Sequence, residues 1–140
     1  MSRNLAYKRQ RSEENFYGLR GADILWKPAG RKGRGVFARC DIRKGEVIEV
    51  APVVPLAAEN VPDSDPPDGY VLDWDPDTPG EEYAMALGYI MLYNHGTTPN
   101  LELESDLQEQ TISAIAIRDI KAGEELTWDY GCDLWFKPKK

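Results

Sequence analysis

Asp41-Ile-Arg-Lys-Gly-Glu-Val-Ile48 and Asp119-Ile-Lys-Ala-Gly-Glu-Glu-Leu126 share one pattern: Asp-Ile-basic-x-Gly-Glu leading into the apolar start of a strand. In each copy the glycine can take the positive φ that a tight turn needs. Each copy also follows an apolar segment, Val36 to Ala38 in the first case and Thr111 to Ile117 in the second. The same turn is therefore built twice, and the chain is expected to hold two similar strand-turn-strand units in one sheet system. The copies are too far apart for a solenoid, whose units follow one another every 20 to 50 residues or so.

The surrounding sequence reads as β-rich. Ala22 to Trp26 and Gly35 to Ala38 flank Lys27-Pro-Ala-Gly-Arg-Lys-Gly-Arg34, a loop whose proline and glycines predict a turn between strands. Val47 to Val54 is β-branched, and Pro52, which has no N–H to give to a ladder, predicts an edge or a break between two short strands. Asn60 to Gly69, with three prolines, reads as loop, and Tyr70 to Trp74 as a short strand. Glu81 to Tyr93 is the best helix candidate; Gly88 divides it, and the half from Gly88 to Tyr93 is expected to form a helical turn. Thr111 to Ile117 has apolar residues on both faces of a strand. No βαβ series is present, which disfavours a Rossmann-type fold.

Composition bounds the function classes. A chain of 140 residues, 41% hydrophobic and 29% charged, reads as one globular domain over residues 21–140 behind a polar arm at residues 1–20. No apolar run is long enough for a membrane span, and the polar, basic N-terminus lacks the core of a signal peptide, so a cytoplasmic location is expected. Two cysteines and one histidine are too few for a disulfide framework or a zinc cluster, and no metal site is expected. Nine Lys or Arg against three acids crowd residues 1–35, whereas residues 45–117 carry fifteen Asp or Glu and no Lys or Arg. Such an acidic field repels phosphate backbones and attracts basic partners, so direct nucleic-acid binding is disfavoured. A homodimer is compatible with these features, which do not decide the oligomer.

Three motifs exceed what local structure requires. Gly30-Arg-Lys-Gly-Arg-Gly-Val-Phe-Ala38 matches neither the dinucleotide fingerprint nor a P-loop, yet Gly33 and Gly35 permit a ligand to approach the backbone. Asn94-His-Gly-Thr-Thr-Pro-Asn100 concentrates side-chain amides and turn formers at the end of an apolar segment. Glu124-Glu-Leu-Thr-Trp-Asp-Tyr-Gly131 is a strand that delivers a tyrosine just ahead of a glycine.

In this order and spacing the three resemble the SET domain of protein lysine methyltransferases, over roughly residues 22–136. Gly33-Arg-Gly-Val-Phe-Ala38 is similar to that family's opening glycine motif, Asn94-His95 with Pro99-Asn100 to its Asn-His motif, and Glu125-Leu-Thr-Trp-Asp-Tyr-Gly131 to its closing motif. The resemblance implies a mainly β, β-clip fold of small twisted sheets with little helix, in which the C-terminal segment threads a loop near Asn94-His95 to form a knot-like core. It implies S-adenosylmethionine as cofactor, contacted by Lys32, Gly33, Arg34 and Gly35 and by Asn94 and His95, with Trp135 beside the adenine. Tyr130 corresponds to the active-site tyrosine and also borders the cofactor. Tyr70, Tyr83, Tyr89, Tyr93 and Trp128 are the candidate walls of a lysine channel. Trp128 stands where the family usually has Phe or Tyr, a position that influences how many methyl groups are added. The short chain, without Cys-rich flanks, resembles stand-alone bacterial and viral members. The implied activity is methyl transfer to a lysine of a protein substrate, one expected to be basic. The rival reading is a non-catalytic interaction module of the same fold with an acidic face.

Overall fold

The computed structural model describes residues 18–19, 23–61 and 70–130. All of the arm at residues 1–20 except Gly18 and Leu19, most of the proline-rich loop, Cys132 and Trp135 lie outside the described residues. The strands are β1 (Gly18–Leu19), β2 (Ile24–Pro28), β3 (Arg34–Ala38), β4 (Val47–Leu56), β5 (Leu72–Asp73), β6 (Tyr83–Ala86), β7 (Asn94–His95), β8 (Leu101–Asp106), β9 (Thr111–Ala116) and β10 (Thr127–Trp128). They form one larger sheet in the order β5-β6-β4-β9-β8, with β1 on β4, and two small sheets, β2-β3 and β7-β10. The mainly β expectation holds.

The repeated turn explains how these sheets are joined. Gly45 and Gly123 both take positive φ, 87° and 92°. Ile42 and Ile120 face each other in an antiparallel bridge, with N–H to carbonyl distances of 2.8 and 2.7 Å in the two directions. Asp41 Oδ1 accepts the Ala122 N–H, and Asp119 Oδ1 accepts the Lys44 N–H, both at 2.9 Å. The Gly45 N–H reaches the Ala116 carbonyl at the end of β9, and the Gly123 N–H reaches the Ala38 carbonyl at the end of β3. The two copies therefore clasp one another with near two-fold reciprocity. They join different sheets, β3 belonging to the small β2-β3 sheet and β4 and β9 to the large one, so the expectation of one common sheet system is corrected. The turns use up their own polar groups by pairing with each other, which leaves the sheets free to diverge.

Strand β4 is the spine of the molecule. It pairs with β9 from Val47 to Pro52 and with β6 from Val53 to Leu56. Pro52 does not break it; the strand runs through and exchanges neighbours at the residue that cannot donate, while the Pro52 carbonyl still accepts the Leu87 N–H. A register shift between Val47 and Glu49 accommodates Ile48 as a bulge. Beyond it Glu49, Ala51 and Val53 fall on one face by the period of two, with Ile112 and Ala114 of β9 opposite Ala51 and Glu49. Val47 and Val50 pack with Ile115 on the other face, so β9 does carry apolar residues on both sides.

Three further elements differ from the expectation drawn from the sequence. Tyr83–Ala86 is a strand, not a helix: Ala84 and Ala86 are buried and Met85 exposed, a period of two that the helix-favouring alanines and glutamates conceal. The helical turn expected from Gly88 to Tyr93 shrinks to a 3-10 turn at Ile90–Leu92. Residues 101–106, for which the sequence predicts no element, form strand β8. Its alternate residues Glu102, Glu104 and Asp106 are exposed, and its N-terminal Leu101 is buried.

Candidate active site

The three motifs converge because β10 runs parallel to β7, with Thr127 opposite Asn94 and Trp128 opposite His95. Residues 125–128 also bridge to β3: Glu125 pairs with Phe37 and the Leu126 N–H reaches the Val36 carbonyl at 2.8 Å. Asn100, 1% exposed, ties the arrangement from behind. Its Nδ2 donates to the Glu125 carbonyl and its Oδ1 accepts the Thr127 N–H, each at 2.8 Å. The Pro99-Asn100 part of the second motif thus holds the third motif in place. This parallel pairing sets the C-terminal segment beside Asn94-His95, as a threaded core requires; any passage beyond residue 130 lies outside the described residues.

On the glycine side, Lys32 Nζ lies 2.9 Å from Glu125 Oε1, and Asn94 Nδ2 donates to Glu125 Oε2 at 2.7 Å and to the Arg34 carbonyl at 2.9 Å. Glu125, which the sequence reading assigned no role, is the hub of this wall. Its signal was an acid inside a β-branched and aromatic strand. Gly35 is buried, and a Cβ there would lie 2.6 Å from Glu125 Oε2 and 3.0 Å from Asn94 Nδ2. Its missing side chain therefore makes room for the protein's own polar groups. Gly33 differs: at φ 83° its would-be Cβ meets nothing, so this glycine is required by conformation and leaves open space beside it. Arg34 is exposed and contributes its carbonyl to Asn94.

On the aromatic side, the Tyr130 ring lies 4.9 Å from Trp128, tilted by 48°, and 5.2 Å from His95 in an edge arrangement. The Tyr130 N–H donates to His95 Nδ1 at 3.3 Å, which puts the proton of the neutral imidazole on Nε2. The Tyr130 hydroxyl donates to the Tyr93 carbonyl at 3.3 Å, a long bond that a better acceptor could replace. Trp128 Nε1 is buried with no hydrogen-bond partner among the described residues. An unmet indole N–H is costly, and here it marks the aromatic wall as a place that a polar ligand or water would complete.

The remaining candidates separate by depth. Tyr93 is 1% exposed and Tyr89 packs half-buried against the core, while Tyr83 is half-buried on β6 and Tyr70 is 44% exposed. Tyr93 and Tyr89 are linked to a residue the sequence reading did not single out. Glu49, 0% exposed, accepts the Tyr93 hydroxyl on Oε1 at 2.7 Å and the Tyr89 N–H on Oε2 at 2.8 Å. Burial pushes its carboxyl up from 4.5 to about 7, against the lowering effect of these two bonds. The available signal was a lone acid in the apolar run Val47 to Val54.

Residues 33–131 match the family model for the SET domain. The chain belongs to the SET family. Among curated proteins it is similar to the histone-lysine N-methyltransferase, H3 lysine-37 specific, of Schizosaccharomyces pombe, at 34% identity over 110 residues, 76% of this chain and 72% of the relative. Among solved structures it superposes with a Plasmodium falciparum protein assigned as a histone methyltransferase, at TM-score 0.62 and 28% identity, covering 81% of this chain and 97% of the other. KRYPTONITE, solved with mCHG DNA and SAH, shares the fold at TM-score 0.61 and 21% identity; the match covers 79% of this chain and 24% of that one. The SET match spans the glycine turn, Asn94-His95 and Tyr130, the three places brought together by the β7-β10 pair.

Proposed function

We propose that this SET protein transfers a methyl group from S-adenosylmethionine to the side-chain amine of a lysine in a basic protein substrate. The observation that carries the reading is the convergence of Lys32, Asn94 and Glu125 on one side of the β7-β10 pair with His95, Trp128 and Tyr130 on the other. The curated relative is a histone-lysine methyltransferase, and histones are basic. KRYPTONITE was also solved with an H3(1-15) peptide and SAH, the demethylated product of this cofactor.

The residues fit such a cofactor. Its amino-acid end is a zwitterion, and Lys32 with Glu125 forms a half-buried pair of opposite charges beside the Asn94 amide, able to meet a carboxylate and an ammonium respectively. Gly33 leaves open space next to them. When bound, the cofactor supplies an electrophilic methyl group on a sulfonium. The protein must supply a neutral amine, aligned and shielded from water. A free lysine, with a pKa of about 10.4, is neutral in only about one molecule in a thousand near pH 7. The rings of Trp128 and Tyr130 favour the neutral amine by desolvation, and the Tyr130 hydroxyl, exchanging its long bond to Tyr93, can orient the amine.

The test is to incubate the protein with methyl-labelled S-adenosylmethionine and core histones and to locate methyl-lysine by mass spectrometry. Methyl-lysine formed by the wild type and lost in Tyr130→Phe supports the reading. Absence of transfer to histones and to Lys-rich peptides, together with no calorimetric binding of the cofactor, overturns it.

A further inference from the structure

A carboxyl group buried with no cation beside it among the described residues is an expensive thing to keep, and Glu49 is fully buried on the core face of β4. Its two oxygens grip one short stretch of chain at both ends. Oε2 takes the Tyr89 N–H, just after Gly88, whose φ of 81° turns the chain. Gly88 is also packed so closely on the carboxyl that a Cβ there would collide with it. Oε1 takes the Tyr93 hydroxyl four residues later. Between these points lies the 3-10 turn Ile90–Leu92. After them come Asn94 and His95, and the Tyr93 carbonyl is the group that holds the Tyr130 hydroxyl. The Tyr93 side chain is thus anchored to Glu49 while its backbone is anchored to Tyr130.

We propose that Glu49 is a positioning residue for the active site: through Tyr93 it sets the place of the carbonyl that orients the Tyr130 hydroxyl. The inference rests on the methyltransferase reading for its catalytic consequence, but the linkage itself is physical and can be read without turnover. The 3-10 turn has no side-chain cap of its own, so the stretch depends on outside groups for its bearings. A neutral leucine at position 49 would serve burial better, and a carboxyl there serves the two bonds. The ionised form accepts both bonds best. From the turn, the Tyr93 phenol and the Tyr89 amide face the carboxyl. From the strands, its register neighbour Ala114 on β9 and Ala51 beside it bring no charge among the described residues. The shift toward pH 7 comes from burial, with no charged side chain as a cause.

The deciding variant is Glu49→Gln, which keeps the shape and can still accept the Tyr89 N–H while reversing the bond to Tyr93. The first readout is tyrosine 13Cζ NMR of the full chain, with the Tyr130 signal assigned by its loss in Tyr130→Phe. Glu49→Gln is expected to move the Tyr130 resonance. The second readout is methylation kinetics on core histones: kcat falls about tenfold, from misplacement of a reacting group, with the KM for S-adenosylmethionine within about twofold. Wild-type kcat should also rise through an acid limb centred near pH 7 that the glutamine variant lacks. Tyr93→Phe, which cuts the same link and leaves the Tyr89 bond, should shift the Tyr130 signal likewise, and it carries the test if the glutamine variant does not fold. An unmoved Tyr130 resonance overturns the proposal. So does a kcat loss that appears only in step with lost folded protein. If the wild type methylates nothing, the functional reading fails, and the NMR shift still decides the linkage.

Discussion

At the scale of single residues, Tyr130 and Glu49 make opposite demands on the same neighbourhood. Tyr130→Phe keeps the ring and removes the hydroxyl, whose bond to the Tyr93 carbonyl is long at 3.3 Å, so the fold should be nearly indifferent. Methyl transfer should drop about 100-fold or more, by analogy with other positioned proton-handling groups. Single-turnover methylation with parallel thermal melts separates the two effects. Glu49 should show itself in stability. Its folded pKa is raised to about 7 from 4.5, so the folded chain holds the proton more tightly than the unfolded one. Below pH 4.5 both states are protonated and the stabilisation is complete. As pH rises to about 7 the unfolded chain ionises first, and up to about 3 kcal/mol is lost. Urea unfolding at pH 5 and pH 8 should show this decline in the wild type and a flatter profile in Glu49→Gln. A decline of equal size in both would assign it to other groups.

At the scale of elements, the clasp of the two turns and the β7-β10 pair are the junctions that matter. Asp41 and Asp119 each accept one backbone N–H from the opposite turn, so Asp41→Ala or Asp119→Ala should each cost about 1 kcal/mol. Since both turns share the Ile42–Ile120 bridge, the double variant should depart from additivity, which a double-mutant cycle of denaturation midpoints would reveal. Gly96 offers a sharper probe. A Cβ there would strike the Thr127 side chain, and Gly96 also donates to the Trp128 carbonyl at 3.0 Å. Gly96→Ala should therefore push β7 from β10, at a cost of about 1–3 kcal/mol, and should impair methyl transfer more than its loss of stability explains. Gly33→Ala, where no atom is struck, should cost only backbone strain, about 1–3 kcal/mol, because φ 83° with ψ −109° lies outside the left-handed helical region.

At the scale of the whole molecule, charge is distributed by region. The fifteen acids and absence of bases in residues 45–117 include the exposed Glu102, Glu104 and Asp106 along β8. A field of this sign draws basic segments toward the protein and should act on capture more than on chemistry, fading over roughly 8–10 Å at ordinary ionic strength. Peptides carrying the same lysine in Arg/Lys-rich and Glu/Asp-rich contexts should differ in kcat/KM at low salt and converge at high salt. Equal methylation of the acidic peptide at low salt would reduce the acidic stretch to a solubilising surface.

What the sequence by itself determined were features whose cause is local. The paired Asp-Ile-x-x-Gly-Glu turns need glycine at positive φ, and Gly45 and Gly123 have it. The alternation of Thr111 to Ile117 writes a strand into adjacent residues, and the three motifs carry the family in their order. Only the tertiary structure decided what depends on distant chain meeting distant chain. Local propensity reads Glu81 to Tyr93 as partly helical, yet pairing of Tyr83–Ala86 with β4 makes a strand. That Gly35 has no room for a side chain is visible only once Asn94 and Glu125, far along the chain, are seen to fill the space where its Cβ would lie. Glu49 is an odd acid in an apolar run until Tyr89 and Tyr93 fold back onto both its oxygens. In each case the deciding energy is a contact between residues far apart in sequence, which no window along the chain contains.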